Sequence, residues 1–234
     1  ISQLKVENSS PVYAIIVDGG QGTRMGTAVP KQFLDLNGKP ILHHTIDAFV
    51  QAIPGIQIVL VLPSHQISYA QMVLQSFTER IDLTIVSGGE TRFRSVQNGL
   101  KDTPEDAVVM VHDGVRPLVS AELIQRCYQQ ALEKGSAIPA IAVTDSMRLV
   151  TKEGSEPVER SQLRIIQTPQ AFRASILLSA MQQAYDEGFT DEATVVEAYG
   201  KEVFLIEGEK SNIKITTPED MVVAEALIKA RKIV

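Results

Sequence analysis

The sequence VYAIIVDGGQGTRMG, residues 12–26, is the stretch that decides the fold. Its first six residues, Val12–Val17, are apolar or aromatic, and four of them are β-branched. A short run of this kind, closed by the glycine pair Gly19-Gly20, predicts a strand that is buried on both faces. We therefore expect residues 12–17 to lie inside a covered sheet.

Apolar runs of the same kind recur along the chain and alternate with amphipathic stretches. Further strands are predicted at Ile58–Leu62, Leu83–Val86, Ala107–Val111 and Ala137–Val143. Helices are predicted at Ile41–Val50, Ile67–Thr78 and Thr91–Lys101, after the N-cap Ser120, and from the N-cap Thr217 onwards. This alternation predicts an α/β fold, with a Rossmann-like, mostly parallel sheet and helices on both faces. Ligands of such sheets bind beyond the carboxyl ends of the strands, where Gly88-Gly89 and Asp113-Gly114 are expected to converge.

Residues 145–164 interrupt this alternation. The segment carries Gly154, Pro157 and several charges, with only short apolar pieces such as Met147–Val150. Its composition fits a hairpin arm that leaves the domain, and it fits a surface loop equally well. We expect residues 1–234 to form a single domain with an extended β-arm at about 145–164.

The composition excludes several classes of protein. With 234 residues, 44% of them hydrophobic and 21% charged, the chain is expected to be globular. The formal net charge is -6 and no long run of Lys or Arg occurs, so no nucleic-acid partner is expected. No apolar run is long enough for a bilayer, residues 1–11 lack the apolar core of a signal peptide, and Cys127 has no second cysteine to pair with. We expect a cytoplasmic protein with no membrane partner.

The glycine-rich segment after the first strand predicts a polyphosphate site. Residues 19–26, GGQGTRMG, are followed by Pro30-Lys31-Gln32. Glycines allow backbone N–H groups to approach phosphate oxygens, and Arg24 and Lys31 bring two positive charges to the same loop. The segment is not a P-loop, which requires Gly-Lys followed by Ser or Thr, and Met25 breaks the dinucleotide-binding pattern. The combination favours a triphosphate ligand.

Further segments follow this loop in a fixed order: GGETRFRSV (88–96), HDGVRP (112–117), QTPQ (167–170), TDEA (190–193) and NIKIT (212–216). Together with the loop, they resemble the 2-C-methyl-D-erythritol 4-phosphate cytidylyltransferases, a nucleotidylyltransferase family of the non-mevalonate isoprenoid pathway. The resemblance extends from about Tyr13 to Ile228. It implies transfer of CMP from CTP to 2-C-methyl-D-erythritol 4-phosphate, which gives 4-diphosphocytidyl-2-C-methyl-D-erythritol and pyrophosphate. It also implies Mg²⁺ as the cofactor and a homodimer as the assembly.

The resemblance assigns roles by position. The catalytic positions are Arg24 and Lys31, which match the pair at the α-phosphate, and Arg160 and Lys214, which match the pair that positions the attacking polyol phosphate. The positions that match CTP-binding residues are Asp18, Gly19, Gly20, Gly22, Gly89, Glu90, Ser95 and Gly114. The positions that match substrate-binding residues are Asp113, which also matches the metal ligand, Arg116, Ser146 and Thr190. The arm fits a dimer contact, and the resemblance implies that Arg160 reaches the site of the partner subunit.

The charges of the reactants agree with these roles. In phosphoryl-type transfer a protein mainly positions the reactants and neutralises charge. The nucleophile is a phosphate monoester, already anionic at neutral pH, so no strong general base is required. The chain accordingly has no evident Ser-His-Asp or Cys-His set. Because two anions must meet, several Arg or Lys side chains and a divalent cation are needed.

The chain departs from the family pattern at three places. Asp18-Gly19 stands where the family usually has Ala, Gly114-Val115 replaces Ala-Ala, and Ser146 replaces Thr but retains the hydroxyl. A carboxylate beside a triphosphate is unfavourable unless a cation or hydrogen-bond donors offset its charge. We therefore hypothesise that Asp18 helps to hold Mg²⁺ or its water shell.

Other interpretations of the same residues stay open. Purely structural roles are an exposed ion pair for Asp113 and Arg116, a solvated strand-end lysine for Lys214, a structural arginine for Arg160, and a helix cap for Thr190-Asp191. We expect His112 to be structural, because no second His or Cys supports a zinc site.

Two other functions compete with the one that the resemblance implies. A ribitol-5-phosphate cytidylyltransferase shares most of the motifs, although SVQNGL (95–100) and the spacing from Arg160 to Gln167 look more like the methylerythritol enzyme. A non-catalytic, nucleotide-binding regulator is disfavoured, because binding alone does not require both a nucleotide side and an acceptor side.

Overall fold

The computed structural model describes residues 10–18 and 29–231. Within these ranges the strands are β1 Val12–Val17, β2 Asp35–Leu36, β3 Lys39–Pro40, β4 Gln57–Leu62, β5 Leu83–Ser87, β6 Val108–Asp113, β7 Ser136–Ala142, β8 Met147–Thr151, β9 Gly154–Val158, β10 Arg164–Ile166, β11 Gln170–Arg173 and β12 Leu205–Glu207. The α-helices are α1 Ile41–Ala52, α2 Ile67–Gln75, α3 Arg92–Gly99, α4 Ala121–Lys134, α5 Ala174–Ala180, α6 Glu192–Ala198 and α7 Pro218–Arg231. Short 3-10 turns occupy Lys31–Phe33, Ser64–Gln66 and Arg160–Gln162.

The first strand lies inside the main sheet, as its apolar run predicts. β1 is parallel to β4 on one side and to β6 on the other, and β5 continues the sheet beyond β4. Val17 is level with Val61 of β4 and with Asp113 of β6. The carboxyl ends of these strands therefore meet along one edge, and the residues that follow them are brought together there.

The other half of the main sheet is mostly antiparallel. β11 runs antiparallel between β6 and β7, while β7 also pairs with β10 in the antiparallel and with β12 in the parallel direction. Among the described strands of this sheet, four of the seven pairings are parallel. The mostly parallel α/β sheet expected from the sequence is thus confirmed.

Alternate side chains of β1 point into two different cores. Ile16 packs with the cluster that contains residues of α1 and α4, such as Phe49 and Leu123. Ile15 packs on the opposite face with residues of α3 and α6, such as Val96. Both faces of the sheet are therefore covered, which explains why the strand reads as a continuous apolar run.

Helix α3 packs against the sheet at a glycine, Gly99. An ideal Cβ placed on Gly99 would be 2.6 Å from Cγ2 of Ile15 and 2.8 Å from Cγ2 of Val61. Real Cβ atoms do not tolerate such distances, so the absence of a side chain at this position sets the spacing between the helix and the sheet.

The segment that interrupts the sequence pattern contains a hairpin. β8 and β9 pair with each other antiparallel, from Met147 opposite Val158 to Thr151 opposite Gly154. Leu149 and Val150 of β8 are largely exposed, at 58% and 81%. Residues 147–158 therefore form a β-hairpin, called the β8–β9 arm, and not an irregular loop.

The predicted element ends differ by a few residues from those observed. Helix α2 ends at Gln75 rather than Thr78. The Ser76 hydroxyl donates a hydrogen bond to the Val73 carbonyl, an acceptor that a continuing helix would use for a backbone N–H. Strand β6 continues two residues beyond Val111, since its pairing with β1 extends to Asp113. In the described part of the chain, every helix is too short or too polar to cross a bilayer.

Candidate active site

A cleft of about 210 Å³ opens at the edge where the strand ends converge. Residues from the ends of β1 and β6, from the loop before α3 and from the segment before α7 form its wall. The lining residues are Val17, Asp18, Lys31, Gly89, Glu90, Thr91, Arg92, Ser95, Asp113, Val115 and Lys214. The main structural expectation from the sequence, convergence of these loops on one edge, is confirmed for the described residues.

Asp113 is the electrostatic centre of the cleft. Its Oδ2 atom lies 3.1 Å from Nε of Arg116 and 3.1 Å from Nζ of Lys214, and its Oδ1 atom lies 3.7 Å from Nη2 of Arg92. Burial alone would raise the pKa of the Asp113 carboxyl, but Lys214, Arg92 and Arg116 together hold that pKa well below its ordinary value. The carboxylate is therefore ionised at any physiological pH. Because the side chains of Asp113 and Arg116 are both only 11% exposed, the interpretation as an exposed ion pair is wrong.

A set of buried hydrogen bonds fixes Asp113 and Arg116 in place. The Asp113 backbone N–H donates to Oγ1 of Thr168 at 3.1 Å, and Nδ2 of Asn212 donates to the Thr168 carbonyl at 2.8 Å. Nη1 of Arg116 donates to the Asn212 carbonyl at 2.9 Å. The segments 167–170 and 212–216 thus serve as a scaffold behind the charged residues.

His112 belongs to this scaffold. It is fully buried, Nδ1 lies 3.0 Å from Oγ1 of Thr168, and Nε2 lies 3.2 Å from the carbonyl oxygen of Arg116. Burial lowers the pKa of His112 to about 4, so the ring is neutral at physiological pH. These contacts are those of a structural histidine.

Residues 88–91 and the first turn of α3, together called loop 88–95, form part of the wall and are held by their own hydrogen bonds. The Gly89 N–H donates to Oγ of Ser95 at 3.1 Å, and that hydroxyl donates to the Thr91 carbonyl at 2.9 Å. Thr91 caps α3 by accepting the Arg94 N–H at 3.1 Å. A Cβ on Gly89 would lie 2.4 Å from Cβ of Arg94, so only glycine fits there. A loop whose shape is set by such hydrogen bonds, and whose glycine leaves main-chain groups accessible, suits recognition of a nucleotide.

Arg92 has a role that was not predicted from the sequence. Its guanidinium makes a two-point ion pair with Glu192, in which Nη2 donates to Oε2 at 3.0 Å and Nη1 donates to Oε1. Glu192 is the first residue of α6, and its side chain is only 1% exposed. Burial raises the pKa of Glu192, and the Arg92 guanidinium acts in the opposite direction. The sequence offers one signal for this ion pair: the oppositely charged Arg92 and Glu192 lie in two of the family segments, 88–96 and 190–193.

Most of the predicted site residues on the described chain meet at this cleft. Asp18, Lys31, Gly89, Glu90, Ser95, Asp113 and Lys214 line it. Arg116 contacts Asp113, and a Cβ on Gly114 would lie 3.1 Å from Oδ2 of Asp18. The two departures Asp18 and Gly114 are therefore neighbours, and the missing side chain at residue 114 leaves room beside the carboxylate at 18.

Three predicted residues do not line the cleft of a single chain. Ser146 and Thr190 are exposed, and Arg160, also exposed, donates from Nη1 to the Thr144 carbonyl at 2.5 Å. Thr190 directly precedes Asp191, which caps α6 with a reciprocal hydrogen-bond pair to Thr194. The roles of these three residues stay predictions.

Four predicted residues lie outside the described residues. They are Gly19, Gly20, Gly22 and Arg24. Their predicted roles at the triphosphate likewise stay predictions.

Comparison with known proteins shows which family the chain resembles. A family model described as 2-C-methyl-D-erythritol 4-phosphate cytidylyltransferase matches residues 12–230. A protein of that name from Phocaeicola vulgatus is 48% identical over 216 residues, which cover 92% of this chain and 99% of the relative. The crystal structure of a protein of the same name from Francisella tularensis is 31% identical, with a TM-score of 0.77, and the match covers 93% of this chain and 99% of the other. A structure from Anaerococcus prevotii, described as a 4-diphosphocytidyl-2C-methyl-D-erythritol synthase, is 26% identical with a TM-score of 0.79 and coverages of 94% and 99%.

Proposed function

Since this chain belongs to the 2-C-methyl-D-erythritol 4-phosphate cytidylyltransferase family, we propose that it transfers CMP from CTP to 2-C-methyl-D-erythritol 4-phosphate. The products are 4-diphosphocytidyl-2-C-methyl-D-erythritol, a precursor in isoprenoid biosynthesis, and pyrophosphate. The observation that carries the proposal is the cleft in which the buried carboxylate of Asp113 has three cations within 4 Å and which loop 88–95 also lines. Such a cleft suits two anionic reactants that must approach each other.

The proposed reaction is a displacement at the α-phosphorus of CTP. A phosphate oxygen of the acceptor forms a new bond to that phosphorus, the bond to the β-phosphate breaks, and pyrophosphate leaves with its electrons. No proton has to be removed, because the attacking phosphate is already anionic. Lys31, together with Arg24, is proposed to neutralise the charge that develops at the α-phosphate, and Lys214 and Arg116 are proposed to orient the acceptor.

The donor set of the cleft fits a Mg²⁺ ion that shares its ligands with the triphosphate. The described residues contain no cluster of three or more His, Cys, Asp or Glu that could hold a metal by themselves. Mg²⁺ usually binds through one or two carboxylates together with substrate phosphates and water. Asp18 and Asp113 both line the cleft, and these two carboxylates would hold the ion together with the triphosphate oxygens. When bound, the ion offsets the charge of the triphosphate.

The Mg²⁺ dependence of CTP binding by Asp18→Ala tests the part assigned to Asp18. A weaker dependence, measured by calorimetric titration of CTP at several Mg²⁺ concentrations, supports that part. An unchanged requirement removes it.

We also propose that the chain acts as a homodimer and that the β8–β9 arm contributes to the contact. The exposed apolar side chains of Leu149 and Val150 support this assignment, because exposed apolar clusters commonly mark interaction surfaces. Arg160 follows the arm directly and is proposed to act in the site of the partner subunit. In that arrangement, mixing inactive Arg160→Ala and Lys214→Ala subunits restores activity, whereas a role within one chain predicts no recovery. The proposed compartment is the cytoplasm, where a protein with a single cysteine needs no disulfide.

A panel of nucleotides and acceptors tests the function. Pyrophosphate release is followed for CTP, UTP, ATP and GTP with either 2-C-methyl-D-erythritol 4-phosphate or ribitol 5-phosphate, in the presence of Mg²⁺. We expect turnover with CTP and the methylerythritol acceptor. Faster turnover with ribitol 5-phosphate favours the rival cytidylyltransferase, and no release with any pair favours a regulator. Lys214→Met should abolish most of the activity, while Lys101→Met, an exposed lysine after α3, serves as the matched control.

A further inference from the structure

Arg92 lies between two buried carboxylates that bind it unequally. It gives both terminal nitrogens to Glu192, whereas Oδ1 of Asp113 lies 3.7 Å from Nη2, beyond the usual length of an N–H···O hydrogen bond. The proposed reaction uses Asp113, but it assigns no part to Arg92 or to Glu192.

The two oxygens of Asp113 are occupied to different degrees. Oδ2 is in contact with Arg116 and Lys214, both at 3.1 Å. Oδ1 has only the more distant Arg92 as a charged neighbour among the described residues. A guanidinium without another partner would approach that oxygen and form the close pair that Arg and carboxylate groups prefer. It would then compete with any reactant for Oδ1.

Glu192 supplies the force that opposes this approach. Its side chain is 1% exposed, and Arg92 provides its ion pair. If Arg92 moved to Asp113, a carboxylate would remain buried without a counter-charge, which is strongly unfavourable. The position of Glu192 is itself fixed by its helix. Glu192 begins α6, and the α6 cap Asp191 accepts a hydrogen bond from Gln170 at 2.9 Å.

We propose that Glu192 is a positioning residue that restrains Arg92 and thereby keeps Oδ1 of Asp113 open to a hydroxyl group of the acceptor. The inference rests on the proposed function, since it concerns the acceptor side of the same cleft. Glu192 itself does not touch the reactants. Its effect is transmitted through the position of the Arg92 guanidinium.

Glu192→Gln tests this restraint with little change of shape. We expect KM for the acceptor to rise and kcat/KM to fall on the order of 10–100-fold, with KM for CTP nearly unchanged. Glu192→Asp keeps the charge and should stay within a few-fold of the wild type. Glu197→Gln, an exposed glutamate of the same helix, is the matched control.

The acceptor affinity of the double variant Arg92→Gln/Glu192→Gln distinguishes the restraint from a purely structural role of the pair. Since the harmful group in Glu192→Gln is the released guanidinium, its removal should restore part of the acceptor affinity, so the double variant should exceed the single one. Calorimetric titration of the acceptor onto enzyme loaded with an α,β-methylene analogue of CTP gives the same comparison without turnover. A pair that only supports the fold predicts a double variant no better than Glu192→Gln, and that result would overturn the inference.

Two controls separate failure of the inference from failure of the function. If the wild type fails to turn over every acceptor, the proposed function fails. If the wild type is active and Glu192→Gln binds the acceptor normally, only the inference fails. Should Glu192→Gln not fold, as judged by circular dichroism, the comparison of Glu192→Asp with Arg92→Lys replaces it. Both variants keep an ion pair away from Oδ1, so loss of acceptor affinity in both contradicts the restraint.

Discussion

Asp113 and Glu192 are two buried carboxylates on either side of one guanidinium, and their pKa values move in opposite directions. Asp113 has three cations within 4 Å, and its pKa is well below the ordinary value. Glu192 has Arg92 as its ion-pair partner and is almost completely buried, and its pKa is raised. Burial favours the neutral form in both cases, so the number of nearby positive charges decides the outcome.

The difference separates the carboxylate that faces the cleft from the one that supports it. Asp113 keeps its negative charge even if one cation is withdrawn by a reactant, because two others remain. Glu192 depends on Arg92 alone for its ion pair, so its ionisation and the position of Arg92 are linked.

Removal of the charge at Asp113 should have the largest effect. In Asp113→Asn the three cations lose their common partner and no longer hold their geometry, so we expect the rate of pyrophosphate release to fall on the order of 10²–10³-fold. Steady-state kinetics measure the change, with Asp102→Asn in an exposed turn as the control. Activity within a few-fold of the wild type would show that Asp113 is not the organising charge.

Removal of Arg92 should make the free energy of unfolding depend on pH through Glu192. In Arg92→Met the Glu192 carboxyl has lost its cation. Its pKa in the folded state then lies above its value of about 4.5 in the unfolded chain. The folded state therefore holds the extra proton, and stability falls as pH rises from the unfolded pKa through the raised folded one. We expect a loss of about 3 kcal/mol at pH 8 and a smaller loss at pH 5. Urea unfolding at both pH values measures it.

The control for this experiment is the double variant Arg92→Met/Glu192→Gln. It has no carboxyl at position 192, so the additional slope with pH should disappear, although Asp113 and Asp191 still face the same region. A slope that persists in the double variant assigns the pH dependence to another group.

A methyl group at position 114 should disturb a third carboxylate of the same cleft. In Gly114→Ala the new Cβ would lie 3.1 Å from Oδ2 of Asp18 and 3.3 Å from Cδ1 of Leu42. We expect a loss of about 1 kcal/mol in unfolding free energy, measured with urea. The loss should shrink when Asp18→Ala is present. An equal loss in both backgrounds assigns it to Cβ of Asp18, which lies 3.2 Å away and is kept in Asp18→Ala, or to Leu42.

The smallest effect is expected at a carboxylate held by hydrogen bonds rather than by cations. Oδ2 of Asp220 accepts from the N–H and hydroxyl groups of Thr216 and from the N–H of Thr217, each at 2.8 Å. Partial burial raises the pKa of Asp220, but these hydrogen bonds outweigh it and leave the pKa lowered. Asp220→Asn should cost about 0.5 kcal/mol near neutral pH, because the Asn side chain keeps an acceptor oxygen.

The sign of this last effect follows from the lowered pKa. The contribution of Asp220 is present above the unfolded pKa of about 3.8 and disappears as pH falls through the lower folded value. Thermal melts of wild type and variant should therefore converge at acid pH. Glu219→Gln, an exposed neighbour in the same turn, should show no such convergence.

Much of the fold was predictable because buried parallel strands leave a strong local signal. The runs at Val12–Val17 and Ile58–Leu62 coincide with β1 and with all but the first residue of β4, and the caps Ser120 and Thr217 precede α4 and α7. Residues that follow such strands must meet at one edge, so Asp113 and loop 88–95 could be placed together without a structure. Those inferences use only sequence neighbours and sheet geometry.

The parts that escaped prediction depend on contacts between distant residues. Arg92 and Glu192 are 100 positions apart, and nothing local in either segment states that they pair. Similarly, the fit of Asp18 against Gly114 depends on the register between β1 and β6. The hairpin could not be distinguished from a loop, because its strands are exposed on most of their residues and lack the apolar alternation of a covered sheet.

The bare position at Gly99 has a consequence at the opposite end of its helix. Arg92 is the first residue of α3, which is eight residues long and has Gly99 as its last residue. A methyl group on Gly99 would have to displace Ile15 and Val61 or tilt the helix. A tilt of the helix would change the distance between Arg92 and Asp113. The distance from the Arg92 guanidinium to Asp113 thus depends on two buried aliphatic side chains, Ile15 and Val61, that pack against the other end of the helix.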